Sequence, residues 1–226
     1  MISPYFLLLT PYFRAKRAGF TLVEMVVCIA IFAMMTALLV AKYGTFNQSV
    51  LLTDLAYDTA ITVNTAQTYG LSVQSSTMGA DSSFSYAYGV EFCANTSPGG
   101  CTTVNYVNLT NNLLVLFADA NSNGLYDTGD IQESLYTITR GAVVSGFCLT
   151  DGCSAPDYIT NPTNPTTRLD ITFKRPNPDA VICANDVQNT LATPCPYTYA
   201  AIFIKGTDGS TRQVIVRGTG QISVKE

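Results

Sequence analysis

The chain has 226 residues, enough for one ordinary domain beyond a membrane helix, with 47% hydrophobic and only 12% charged residues. It has no histidine, so the commonest general base and transition-metal ligand is missing. The net charge is −4, and an acidic chain argues against general nucleic-acid binding, which draws on Lys and Arg to neutralise phosphates.

Residues 1–13 are apolar but too short to span a bilayer, and Pro4 and Pro11 interrupt them. No A-x-A-like site for ordinary signal peptidase follows. A basic cluster, Arg14, Lys16 and Arg17, leads to Gly19, and residues 20–40 form an apolar stretch whose only charge is Glu24. At a rise of about 1.5 Å per residue that stretch spans the ~30 Å hydrocarbon core. The cations at its leading edge place the N-terminus in the cytoplasm, and Lys42 with Tyr43 marks the outer interface. An ionisable group inside a membrane segment is costly and is a functional hypothesis by default.

Gly19-Phe20-Thr21-Leu22-Val23-Glu24, with its basic flank and apolar continuation, resembles the processing site of type IV pilins and type II secretion pseudopilins. The resemblance implies that a membrane aspartyl peptidase, the prepilin peptidase, cuts after Gly19 and methylates the new amine of Phe20. It also implies that Glu24 neutralises the Phe20 amine of a neighbouring subunit as a filament grows. A carboxylate in hydrocarbon needs a partner, so this pair would act as a register device more than as a source of net stability. The plainer alternative is a Glu24 that snorkels to the headgroups from about one turn inside the helix. Loss of a leader 1–19 removes three cations and takes the net charge from −4 to −7.

Beyond the membrane segment, Val50, Leu51, Leu52, Leu55, Ala56, Thr59, Ala60, Val63, Ala66, Gln67 and Leu71 recur at helical spacing. The helix is expected to reach about Gly70 with an amphipathic outer half, Gly44 allowing a kink or a local melt. From Ser83 the pattern changes to β-branched and aromatic runs between Gly, Pro, Asn and Asp clusters, which reads as antiparallel strands. The expected strands are 84–92, 103–109, 113–118, 133–140, 143–147, 168–174, 180–183, 199–205, 211–217 and 220–224. Alternation in 168–174 predicts a sheet with one wet face, and 205–210 predicts a hairpin turn. The fold class is therefore α+β, a long N-terminal helix packed against an antiparallel β-sheet head, in the manner the resemblance implies for a pilin. Its divisions are a leader 1–19, a transmembrane helix 20–40, an amphipathic continuation 41–72 and a β-rich head 83–226.

Cys28 lies in the membrane helix, and the other six cysteines fall in close pairs: Cys93 and Cys101, Cys148 and Cys153, Cys183 and Cys195. In a translocated domain such a set reads as disulfides. Connectivity does not follow from sequence, but each close pair brackets Gly-, Pro- or Asn-rich turn residues, and sequential pairing is expected. Reduced thiols or a zinc site are the alternatives, although the spacings match no common zinc module.

Asp119, Asn121, Asn123, Asp127 and Asp130 place oxygen-bearing side chains at the first, third, fifth, ninth and twelfth positions of a calcium loop, with Gly124 at the sixth. The carbonyl of Leu125 completes the set, and Glu133 is a possible extra ligand. Position twelve is Asp in place of the bidentate Glu, which resembles dockerin-type loops, and the flanks read as strands. An Asn/Gly turn that bonds its own backbone is the alternative. Residues 117–130 and the closing segment 206–224 also resemble pseudopilin H and FimT-type minor pilins. Nothing in the sequence asks for an organic cofactor or for catalysis.

The expected function is that of a structural subunit of a type IV pilus or type II secretion filament. Such a subunit is first a single-pass protein of the cytoplasmic membrane, then part of an extracellular or periplasmic filament of pilin or pseudopilin subunits. The rival reading is a minor tip pilin that binds DNA or a surface during uptake or adhesion.

Overall fold

The computed structural model describes residues 19–72, 86–94, 110–157, 166–185 and 194–225, together with 101, 103–104, 107–108 and 190. Residues 1–18 with the leader's cations, the start of the strand expected at 84–92 and parts of the Pro- and Asn-rich stretches 150–167 and 185–196 lie outside these. The chain divides into two compact units, Met1–Gly44 and Thr45–Glu226.

Helix α1 (Leu22–Leu71) enters both units and is unbroken at Gly44, where the sequence allowed a melt. In the first unit its large apolar side chains, Val23 through Tyr43, are exposed, and the helix is long and apolar enough to cross a membrane. In the second unit it buries a stripe: Leu52, Ala56, Thr59, Val63, Ala66 and Gly70. Their spacing of three and four residues keeps them on one face. Small residues dominate the stripe, so the backbone lies close to the strands beneath. At Gly70 the approach is close: a Cβ there would collide with the Phe173 carbonyl oxygen. The Gly70 carbonyl accepts the Arg175 N–H at 3.1 Å.

Polar anchors hold this half of α1 at both ends. The Arg212 guanidinium donates to Thr53 Oγ1 and Ser49 Oγ, both at 3.2 Å. The Gln67 amide donates to the carbonyls of Gly220 at 2.9 Å and Pro178 at 3.2 Å.

The strands are β1 (Ala87–Cys93), β2 (Thr103–Val104), β3 (Val107–Asn108), β4 (Leu113–Asp119), β5 (Ile131–Thr137), β6 (Val143–Cys148), β7 (Arg168–Phe173), β8 (Ala180–Ala184), β9 (Tyr199–Lys205), β10 (Thr211–Arg217) and β11 (Ile222–Lys225). A five-stranded sheet has the order β5-β4-β1-β7-β8, and a four-stranded sheet the order β11-β10-β9-β6. All the pairings are antiparallel. This is the α+β architecture expected from the sequence. One core joins α1 to both sheets through Leu52, Ala56 and Val63 on the helix, Val90, Leu116, Ile171 and Phe173 on the first sheet, and Ile202 and Val214 on the second.

Two expectations need correction. The strand expected at 103–109 is a short hairpin of β2 and β3. The wet face expected for 168–174 is absent: every residue of β7 is buried. Leu169, Ile171 and Phe173 face the main core. Arg168, Asp170 and Thr172 alternate with them and so occupy the other face, where Tyr126 from the β4–β5 loop packs with Phe117, Val115, Cys93 and Cys101 as a second small core. A loop covers what alternation alone left to water.

Candidate functional site

The first candidate lies at the start of α1. Thr21 precedes the helix, and its side chain and Glu24 cap it reciprocally. Thr21 Oγ1 accepts the Glu24 N–H at 3.2 Å, while Glu24 Oε2 accepts the Thr21 N–H and hydroxyl, both at 2.9 Å. This is a capping box, which satisfies two of the backbone donors a helix start leaves open. The T-x-x-E spacing carried that signal in the sequence, and the sequence reading missed it. Gly19 and Phe20 precede the helix in an open stretch, with Phe20 85% exposed and nothing within 4 Å of a Cβ built at Gly19. A protease needs such an extended, reachable bond. Glu24 itself is exposed at the side of the helix, where a cation from another chain can reach it.

The second candidate is the loop between β4 and β5, and the structure brings its expected residues together. Asp119 ends β4 and its carboxylate accepts the N–H groups of Gly124 at 2.9 Å and Asn123 at 3.2 Å. Asp130 closes the loop, accepting the N–H groups of Ala120 and Asp127, both at 2.9 Å. Asn121 and Asn123 each turn a side-chain amide toward the Asp127 carboxylate, at 2.8 and 2.6 Å. Their Oδ1 atoms accept the backbone N–H groups of Asn123 and Leu125. Gly124 takes φ 78°, a left-handed value that glycine adopts without strain.

Burial pushes the Asp119 carboxyl up, against the N–H donors that favour its charged form. Burial also lifts Asp130, to about 6, and the charges of Asp119 and Asp127 add to the rise. The donors are hard oxygens of the kind calcium takes, and a cation would relieve these repelling carboxylates. As they stand, the side chains form a hydrogen-bonded turn. Among the described residues no group of three or more Asp, Glu, His or Cys is gathered as a ready metal cage. Glu133 lies beyond the loop, within β5.

Beneath the loop sits a charge cluster that sequence reasoning missed. Arg168 is 4% exposed, and its Nε lies 2.9 Å from Glu91 Oε1 and 3.0 Å from Asp170 Oδ2, both on fully buried side chains. The Tyr126 peptide is gripped from both sides: its N–H donates to Asp170 Oδ1 at 3.0 Å and its carbonyl accepts from an Arg168 terminal nitrogen. The signal was Arg-x-Asp at strand spacing opposite an acid in an apolar run, and only the register of β1 against β7 brings them together. The structure pairs the six head cysteines in sequential order, Cys93–Cys101, Cys148–Cys153 and Cys183–Cys195, and leaves Cys28 free.

Residues 14–40 match the family model for the prokaryotic N-terminal methylation motif. Neither the curated proteins nor the solved structures give a match. The matched span holds the cations, Gly19, Glu24 and the apolar half of α1, and the motif implies processing by prepilin peptidase and assembly with other pilin subunits. Proteins of this kind are structural. The match covers the N-terminal segment alone, and it supports a type IV pilin-like prepilin.

Proposed function

We propose that the chain is a structural subunit of a type IV pilus or type II secretion filament. In this reading it is inserted in the cytoplasmic membrane by α1, cut after Gly19 and assembled helix to helix into an extracellular or periplasmic filament. The observation that carries this is the methylation-motif match over 14–40, with an apolar helix behind it. Glu24 would exchange its capping contact with Thr21 for the Phe20 amine of a neighbour. Three of the head's arginines are occupied: Arg168 is buried with carboxylates, Arg212 bonds α1, and Arg217 pairs with Asp151 at 2.8 Å. That favours the structural role over a DNA-binding tip pilin. N-terminal sequencing of the mature protein should begin at Phe20, and Glu24→Gln should be processed yet fail to enter filaments. A different first residue would overturn the proposal.

We also propose that the β4–β5 loop holds a structural calcium ion, with Asp119, Asn121, Asn123, Asp127 and Asp130 as side-chain ligands and Leu125 giving its carbonyl. Binding to the folded state alone raises stability by mass action, about 2.7 kcal/mol at a hundredfold excess over Kd. Thermal melting of the full chain in detergent should therefore show a lower Tm with chelator than with calcium. An unchanged Tm would count against the ion.

A further inference from the structure

Among the described residues the two larger sheets of the head end in four edges: β5, β8, β11 and β6. Exposed edges are templates for another strand unless something covers them. At β8, Tyr197 bridges to Ile182 and is tied there by the Cys183–Cys195 disulfide. At β6 the leading end is met by the turn before β4, whose Asn111 carbonyl accepts the Val144 N–H. Among the described residues, the ladders of β5 and β11 run only to β4 and β10.

Strand β5 is also apolar at its exposed end. Consecutive residues Leu135 and Tyr136, which point to opposite faces of a strand, are 41% and 39% exposed. A groove of about 410 Å³ runs beside Tyr136, walled on one side by Asp58, Ile61 and Thr65 of α1 and on the other by Tyr136 and Ile138. Ile61, 62% exposed, continues this surface onto the outer face of α1 with Tyr57 and Val50. Asp58 makes this groove acidic, whereas β11 ends in an exposed Lys225. The two edges flank α1 on opposite sides. By the 3.6-residue period Asp58, Ile61 and Thr65 stand on one side of its buried stripe, and Gln67, which bonds the turn before β11, on the other.

We propose that β11 of one copy pairs with β5 of the next, its Lys225 reaching the acidic groove. The inference rests on the assembly reading above. The occupant is a second copy because the groove is half built from α1, the element through which pilin-like subunits assemble, and because the charges of the two edges are complementary. Two different surfaces meeting head to tail make a heterologous contact, which propagates as an open filament and does not close into a dimer. With the mature chain at −7, such a contact also meets opposite charge where like charge would otherwise repel.

The test uses full-length protein in its native membrane, in a Cys28→Ser background, with Thr137→Cys on β5 and Ser223→Cys on β11. Both positions are exposed. Mild oxidation of assembled filaments should give a ladder of dimers, trimers and higher species on a non-reducing gel, and neither single variant should give one. Lys225→Glu should cut the ladder about twofold to fivefold, the scale of one exposed ion pair, and Asp58→Lys in the same chain should restore it. Filaments that form without a ladder would overturn the edge pairing alone, as would dimers from Thr137→Cys by itself. A chain that forms no filament at all would overturn the subunit reading and this contact with it.

Discussion

Single side chains in this protein do work their type alone does not announce. Glu24 caps its own helix through Thr21 while it waits at the side of a membrane-length segment. A helix whose first turn is already capped keeps its start regular, and the carboxylate is held at a fixed height on α1. Asp130 is pushed up to about 6, above its ordinary value of 3.8, chiefly by burial. Between those values the folded state binds more protons than the unfolded state, so this group's contribution makes stability fall as pH rises from about 4 to about 6. In chelator, Tm followed across that range should drop, and Asp130→Asn should flatten the drop. An equally steep profile in the variant would show that Asp130 is not its source.

Among elements, α1 and β7 show how small residues and buried charge set the geometry. The stripe Ala56, Thr59, Ala66 and Gly70 lets the outer half of α1 sit close on the strands, with Gly70 against the Phe173 carbonyl. Gly70→Ala would push helix and strand apart, for a loss of about 1–3 kcal/mol of the kind overpacking brings, readable in urea unfolding. The expectation of a helix ending near Gly70 came from periodicity, and periodicity is enough because α1 has one buried face in its outer half. Periodicity was not enough for β7. Its alternation of polar and apolar residues was real, but the polar set Arg168, Asp170 and Thr172 is roofed by Tyr126 and the β4–β5 loop. Breaking such a buried cluster would leave carboxylates without their cation, which is why Arg168 is a poor site for replacement.

At the level of the molecule, three short disulfides pin loops around a core that α1 and the two larger sheets build together. The disulfides also shape its edges, since Cys183–Cys195 straps Tyr197 along β8. Replacing both cysteines by serine should cost about 3 kcal/mol by chain entropy and should expose the β8 edge. Stability by calorimetry and aggregation by light scattering would report the two effects, and a soluble variant of unchanged Tm would refute both. The methylation-motif segment, the helix and nearly all the strands were legible in the sequence, because each rests on local order: a short motif, a 3.6-residue period or a β-branched run bounded by turns. The convergence of the acidic loop was also legible, since its oxygens come from one stretch of twelve residues. Which strand faces stay dry, which edges are strapped and that Glu91, Arg168 and Asp170 meet came only with the fold. Those facts depend on register between segments far apart in the chain, and no local pattern carries it.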